Sequence, residues 1–185
     1  VPQIPTPHHG YGDASAFSVG MPVLLIQMQG AEMNETNAST FGDLVDLGSA
    51  GLYERNEILS IAGNQITLRY SILNTYNLDG AVQLISIATP NEGENEGVIS
   101  GTVTAQPWNG STGGVVILDA GSRLTFSSDI DVSGQGFRGG AGSTTQEDSC
   151  SSAPIGIADR FFYESGNWRG AQKGEGIAAY ITGKE

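Results

Sequence analysis

Residues 108–140 read WNGSTGGVVILDAGSRLTFSSDIDVSGQGFRGG, three short β-type runs set apart by breaks of Gly, Ser and Asp before the chain turns to glycine. Val115 to Leu118 is continuously apolar and largely β-branched, as in a strand covered on both faces. Arg123 to Phe126 and Asp129 to Val132 alternate polar and apolar at period two, as in half-buried strands. Each run is too short to bury a face alone, so the runs must pair in register, as a meander or as successive rungs of a parallel β-helix. The breaks at residues 120–122 and 127–128 lack the Asn-Gly and Asp-Gly dipeptides of tight hairpins. Their absence favours rungs and leaves the meander as the alternative.

Working outward, residues 22–29, 57–61, 65–73 and 81–88 read as strands. Ala62-Gly63-Asn64 is a hairpin signal and Asn77-Leu78-Asp79-Gly80 a turn. Four or five such antiparallel strands make a small barrel or sandwich. Residues 31–52 are small and polar, with Gly42, Gly48 and Gly51, and read as a long loop. Before this zone, residues 1–19 begin VPQIPTP, a Pro-rich arm that favours extended backbone. After the runs, glycine and the aromatics Phe161, Phe162, Tyr163, Trp168 and Tyr180 suggest irregular segments laid over a β core. The expectation is all-β: an arm (1–19), an antiparallel barrel or sandwich (20–97), then β-helix-like rungs with a glycine-rich irregular C-terminal wrap (98–185).

Composition narrows the function classes. Of 185 residues, 38% are hydrophobic, 15% charged and 27 are Gly, which fits folded, turn-rich β structure rather than disorder. A net charge of -12 repels phosphate backbones and anionic lipid, which argues against nucleic acid or a membrane surface as partner. The longest apolar run, Met21 to Met28, includes Pro22 and Gln27 and is far short of the roughly 20 residues that span a bilayer. The first residues lack the basic and apolar regions of a signal peptide, so a secreted form would be mature or an internal piece.

Few residues carry recognisable chemistry. His8 and His9, with Asp13, could bind a metal, but they sit in the arm, where tail-like chemistry is the favoured account; the two histidines, adjacent and terminal, offer no placed general base, so a Ser/His/Asp set cannot be argued. Asp119, Asp129 and Asp131 would share one face of stacked rungs, the arrangement a polysaccharide-cleaving β-helix enzyme needs, but carboxylate separation is not readable from sequence. The enzyme reading is the weakest and the chain is expected not to be one. Glu92, Glu94 and Glu96 in an acidic loop invite calcium, although their spacing does not match an EF-hand and a solvated turn is the competing account. Cys150 is the single cysteine, buried or available for an interchain disulfide. Asn34, Asn37 and Asn109 head Asn-x-Ser/Thr sequons and are glycosylation candidates. Trp108 beside Asn109, and Trp168 between Asn167 and Arg169, are the pairs a sugar-binding site would use, the ring stacking on the sugar and the polar group bonding its hydroxyls. The competing account makes both tryptophans caps of the β core.

Several stretches together resemble one family. They are residues 20–30 (GMPVLLIQMQG), 51–54 (GLYE), 82–84 (VQL), 107–114 (PWNGSTGG), 129–140 (DIDVSGQGFRGG) and 173–178 (KGEGIA). In this order they resemble the N-terminal region of large, glycine-rich cell-surface adhesin-like proteins of Bacteroidota associated with gliding and type IX secretion. Family members run on past the position of Glu185 into a very glycine-rich segment. The resemblance implies an extracellular, cell-surface location and a structural or adhesive role, with no catalytic residues to transfer. The expected function is a secreted structural or adhesive module that forms homo-oligomers, or joins other surface-protein segments, and self-assembles into a filament by strand addition. Its rivals are a carbohydrate-binding module, with glycans as partners, and a polysaccharide-cleaving enzyme.

Overall fold

A computed structural model of the chain describes residues 17–87, 96–119, 123–141, 161–162 and 172–178. Its strands are β1 (Pro22–Gln27), β2 (Glu32–Met33), β3 (Leu44–Asp46), β4 (Tyr53–Ala62), β5 (Gln65–Leu68), β6 (Val82–Ser86), β7 (Glu96–Ile99) and β8 (Arg123–Phe126), with a 3₁₀ turn at Leu78–Gly80. No α-helix occurs among the described residues, so the chain is all-β. The apolar run PVLLIQ forms β1, the centre of a curled antiparallel sheet ordered β5-β4-β1-β6. Pro22 opens the strand, where its missing N–H costs no central ladder bond.

Alternation divides this sheet into two faces, each covered. On one face, Leu24 and Ile85 stand opposite each other and join Ile87 in a buried cluster. Val115 and Ile117 pack against that cluster. On the other face, Val23 and Ile58 are fully buried beside Gln27 and Asn56. Each such aliphatic side chain taken from water contributes roughly 2 kcal/mol.

Residues 69–81 must pass β4 and β1 to carry the chain from β5 to β6, and polar side chains on the second face hold them. Asn56 donates through Nδ2 to the Tyr70 carbonyl (2.9 Å) and accepts from the Tyr70 N–H (3.0 Å). The Glu54 carboxylate accepts from the N–H groups of Leu73 and Asn74. Burial pushes the Glu54 carboxyl up, but the Leu73 N–H, the Tyr76 hydroxyl and Asn74 outweigh it and the net direction is down. Gln27 accepts from the Asn77 N–H at 2.8 Å. Gly80 lies so close that a Cβ there would meet the Gln29 carbonyl oxygen at 2.3 Å. The strand expected to reach Leu73 therefore ends at Leu68, because side-chain bonds replace the ladder from Tyr70 onward.

Other boundaries also move. The hairpin at residues 62–64 forms, with Gly63 at φ +59°. Its first strand starts at Tyr53 rather than residue 57, because β4 gains β1 as a second neighbour. The expected loop over 31–52 contains the short ladder β2·β3, closed by Asn34 N–H to Asp43 O and Gly42 N–H to Asn34 O. Strand β7 begins at Glu96, so the division expected between residues 97 and 98 falls inside a strand.

The decisive stretch pairs over long range. β7 and β8 run parallel, each residue beside the one 27 positions later, Glu96 with Arg123 and Ile99 with Phe126. The same offset recurs in the parallel bridge Val103 to Ile130 and in the bond from Trp108 N–H to Gln135 O. Ser127 Oγ adds a bond to the Ile99 carbonyl and Ser128 Oγ one to Ser100. A parallel pair needs a long crossover, and the stretch of chain between Ile99 and Arg123 is long enough for one. The ladder partner of β8 is β7 and not a neighbouring run, so the ladder shows neither a meander of the three runs nor the three runs stacked as successive rungs. Val115 to Leu118 is not a named strand either, since its apolar side chains are spent on covering the antiparallel sheet.

Candidate functional site

The densest polar arrangement among the described residues gathers around Glu175, where the two passes of parallel chain meet residues 172–178. Trp108 is 4% exposed; its ring meets Phe137 edge-on at 5.1 Å, and its Nε1–H donates to Glu175 Oε2 at 2.9 Å. Arg138 donates to the same carboxylate through Nε (2.9 Å), through Nη2 and through its backbone N–H (3.1 Å). The Glu175 N–H returns a bond to the Arg138 carbonyl at 2.8 Å. The Arg138 guanidinium holds the Glu175 carboxyl down at about 2, against the lesser upward push of burial, and the Arg138 backbone N–H and Trp108 N–H add to the lowering. The carboxylate is a charged anchor at any physiological pH.

Glycine makes room for this knot at two points. A Cβ at Gly110, whose φ is +105°, would stand 2.6 Å from Arg138 Nη2. One at Gly140 would overlap the Gln172 carbonyl at 1.7 Å. From Glu175 the segment continues to the antiparallel sheet. The Gly30 and Ala31 N–H groups donate to the Ile177 carbonyl, Gln29 Nε2 donates to Gly176 O, and Ala31 bridges Ala178. In the other direction Lys173 Nζ lies 5.8 Å over the Phe41 ring. Residues 172–178 therefore work as a clasp between the antiparallel sheet and residues 108–140.

Two hollows border the clasp. A cavity of about 450 Å³ is lined by Arg138, Gly139, Ala141, Gln172, Lys173 and Glu175, a polar rim in which the guanidinium is already committed to Glu175. A second, of about 260 Å³, has Glu32, Glu35 and Asp79 around Gly30 and Ala178. Among the described residues no group of three His, Cys, Asp or Glu side chains is placed to hold a metal ion. No protein-family model, curated protein or solved structure matches the chain.

The residues singled out by sequence fall apart in space or into structural roles. Trp108 is not an exposed platform: its ring and N–H are spent inside the knot. Asn109 is exposed but closes an Asx turn, its Oδ1 accepting from the N–H groups of Ser111 and Thr112 and its Nδ2 donating to Thr112 Oγ1. Asn34 closes a similar turn with Thr36 and Thr40, and Asn37 Oδ1 accepts from the Phe161 N–H. Asp119 pairs with Arg55 on the sheet, whereas Asp131 caps its own turn through the Ser133 N–H, which lowers its carboxyl. Two of the three aspartates considered for hydrolysis therefore have polar partners, Asp119 at long range and Asp131 within its own turn. The Glu96 backbone pairs with Arg123 in the parallel ladder. Glu92, Glu94, Cys150, Asn167, Trp168, Arg169, His8, His9 and Asp13 lie outside the described residues.

Sequence reasoning missed the buried amides. Gln83 takes the Gly113 peptide as a bidentate partner, Nε2 to O at 3.1 Å and N–H to Oε1 at 3.0 Å. With Gln27, Gln29 and Asn56 it belongs to a set in which a buried amide captures a crossing segment. The signal was present: Gln27 and Gln83 interrupt otherwise apolar strands, and a buried amide requires a backbone partner.

Proposed function

We propose that this chain is a structural and adhesive module of a bacterial surface protein. The curled sheet closes one end of a short β-helix-like coil, and the other end accepts further β structure. The observation that carries the reading is the constant 27-residue offset over β7·β8, Val103·Ile130 and Trp108·Gln135. A repeated parallel offset is the signature of stacked passes that bury each other's faces. The family resemblance supports the extracellular setting, and the net charge of -12 suits a soluble, exposed surface. The arrangement around Glu175 supports a scaffold role as well, since its charged groups are spent on joining sheet to coil.

The test combines imaging and adherence. Negative-stain electron microscopy of the isolated chain is expected to show associated particles, and beads coated with it to clump or to adhere to bacterial cells. Dispersed particles with saturable affinity for one glycan of a panel, lost in Asn109→Ala, would replace the scaffold reading with a carbohydrate-binding one.

A further inference from the structure

The turn at residues 109–112 uses both members of the pair Asn109–Gly110. Gly110 has φ +105°, a conformation side chains rarely adopt, and a Cβ there would stand 2.6 Å from Arg138 Nη2. Asn109 is exposed and closes the turn. Its Oδ1 accepts from the Ser111 N–H (3.0 Å), the Ser111 hydroxyl (3.1 Å) and the Thr112 N–H (3.0 Å), and its Nδ2 donates to Thr112 Oγ1 at 3.0 Å. The chain enters through Trp108 N–H to Gln135 O and leaves through Gly113, held by the buried Gln83 amide. These demands create the one Asn-Gly dipeptide among the 185 residues. Asn-Gly is the most self-reactive asparagine context, because the residue that follows has no side chain to keep its nitrogen from the side-chain amide. Asn34 is the natural comparison. Its Oδ1 accepts from the Thr36 N–H and hydroxyl and its Nδ2 donates to Thr40 Oγ1, but Glu35 follows it.

We propose that Asn109 is a self-modification site that its own turn holds unreacted, so that a chain whose turn opens is converted irreversibly. The Gly110 nitrogen gives up its proton and attacks Asn109 Cγ; the Cγ–Nδ2 bond breaks, and Nδ2 leaves with that proton as ammonia. Water then opens the cyclic imide. Breaking the new N–Cγ bond gives aspartate, and breaking the peptide C–N bond instead gives isoaspartate, whose main chain runs through Cβ and Cγ. In the turn, four hydrogen bonds direct the edge of the side-chain amide at residues 111 and 112. Ring closure needs its face toward the Gly110 nitrogen, so those bonds must break first and the reaction passes through a locally open state. The isoaspartyl product carries one more methylene in its main chain, out of step with the bonds from Asn109 N–H to Thr112 O and from Trp108 N–H to Gln135 O. A chain that has opened and reacted in this way cannot close the turn again, and the anchorage of Trp108 beside it is weakened.

Peptide mapping by mass spectrometry of the full chain, incubated at mildly alkaline pH with and without urea, reads the conversion. In urea the amide-to-acid mass gain should accumulate at Asn109 well ahead of Asn34, as both aspartyl and isoaspartyl forms. In the folded chain the same gain should be slower by about tenfold or more. Ser111→Ala and Thr112→Val each remove one side-chain bond to the Asn109 amide and should speed the folded reaction by about threefold or more, with little change in urea. Both variants should keep a cooperative urea transition, so that faster reaction reports the turn and not global unfolding. Isoaspartyl chain returned to buffer should unfold at a lower urea concentration than unreacted chain treated alike. No conversion at Asn109 in urea, equal rates with and without urea, or folded variants that react at the wild-type rate would overturn the inference. So would isoaspartyl chain as stable as the unreacted form.

Discussion

Ile99, Val103 and Ala105 and their counterparts Phe126, Ile130 and Val132 present similar side chains at positions 27 apart, yet the first set is buried and the second is half exposed. Ile99 and Val103 have Phe126 and Ile130 beside them in the parallel register, whereas among the described residues Phe126 and Ile130 have no further strand beyond them. Burial here is a property of the stack and not of the residue. The antiparallel sheet differs because its strand β1 has ladder partners on both edges and both of its faces are covered by the chain's own segments, 69–81 on one and 113–117 on the other. A sheet built this way is complete within one chain, whereas the parallel pair β7·β8 leaves most of its second strand exposed.

The contrast breaks most severely where the first pass is anchored. Trp108→Ala removes a buried indole, its contact with Phe137 and the N–H bond to Glu175, and should cost about 3–5 kcal/mol in urea unfolding. Next is a pair of glycines at positive φ. Gly113 has φ +106° and a Cβ there would sit 2.4 Å from the Pro107 carbonyl oxygen, whereas Gly134 has φ +70° and open space. Gly113→Ala should cost about 3 kcal/mol or more, since backbone must move. Gly134→Ala should cost about 1 kcal/mol, the conformational penalty alone, as read from the shift in melting temperature.

Matched aliphatic truncations sharpen the comparison further. Val103→Ala should destabilise by about 2 kcal/mol because the cavity it leaves is enclosed. Ile130→Ala removes more carbon but should cost less than about 1 kcal/mol in dilute monomer, since half its side chain already meets water. Equal losses at the two positions would mean that the second pass is covered as well as the first.

What was legible in the sequence follows from the range of the physics involved. Period-two alternation and the Gly-containing turn at residues 62–64 act locally, so β1, the β4·β5 hairpin and β6 were readable in kind and approximate place. The parallel register could be narrowed to rungs or a meander, because short runs declare that they need partners without naming them. Its 27-residue offset was not readable, since it depends on a crossover whose path is set by Val115, Ile117 and Gln83 docking on the antiparallel sheet. The same docking explains why the strongest β-like run, Val115 to Leu118, joins neither named ladder. At the knot, Trp108 was read either as a sugar platform or as a cap of the β core, and its burial agrees with the cap; nothing local to residues 107–110 reports that Glu175 will approach from 67 positions away. Buried amides such as Gln27 mark crossings but do not say what crosses.

A similarly small effect, one that depends on pH, tests the clasp that joins the two regions. Glu175 has its carboxyl held at about 2, against an ordinary value of 4.5, chiefly by the Arg138 guanidinium. Because the folded value lies below the unfolded one, the stabilisation is fully present above about pH 4.5 and is lost as pH falls toward 2. The shift alone corresponds to roughly 3 kcal/mol, but the Arg138 side chain is 57% exposed and solvent screening brings the expected contribution nearer to about 1 kcal/mol. Lowered carboxyls at Glu54 and Asp131 slope the same way, so the informative quantity is the difference between wild type and Glu175→Gln. Urea unfolding at a series of pH values should give a stability gap of about 1 kcal/mol near neutrality that closes between pH 4.5 and 2. A gap that stays constant with pH would mean that Glu175 acts through its size and its neutral hydrogen bonds. The clasp would then be a packing contact between sheet and coil, and ionisation of Glu175 would play no part in holding them together.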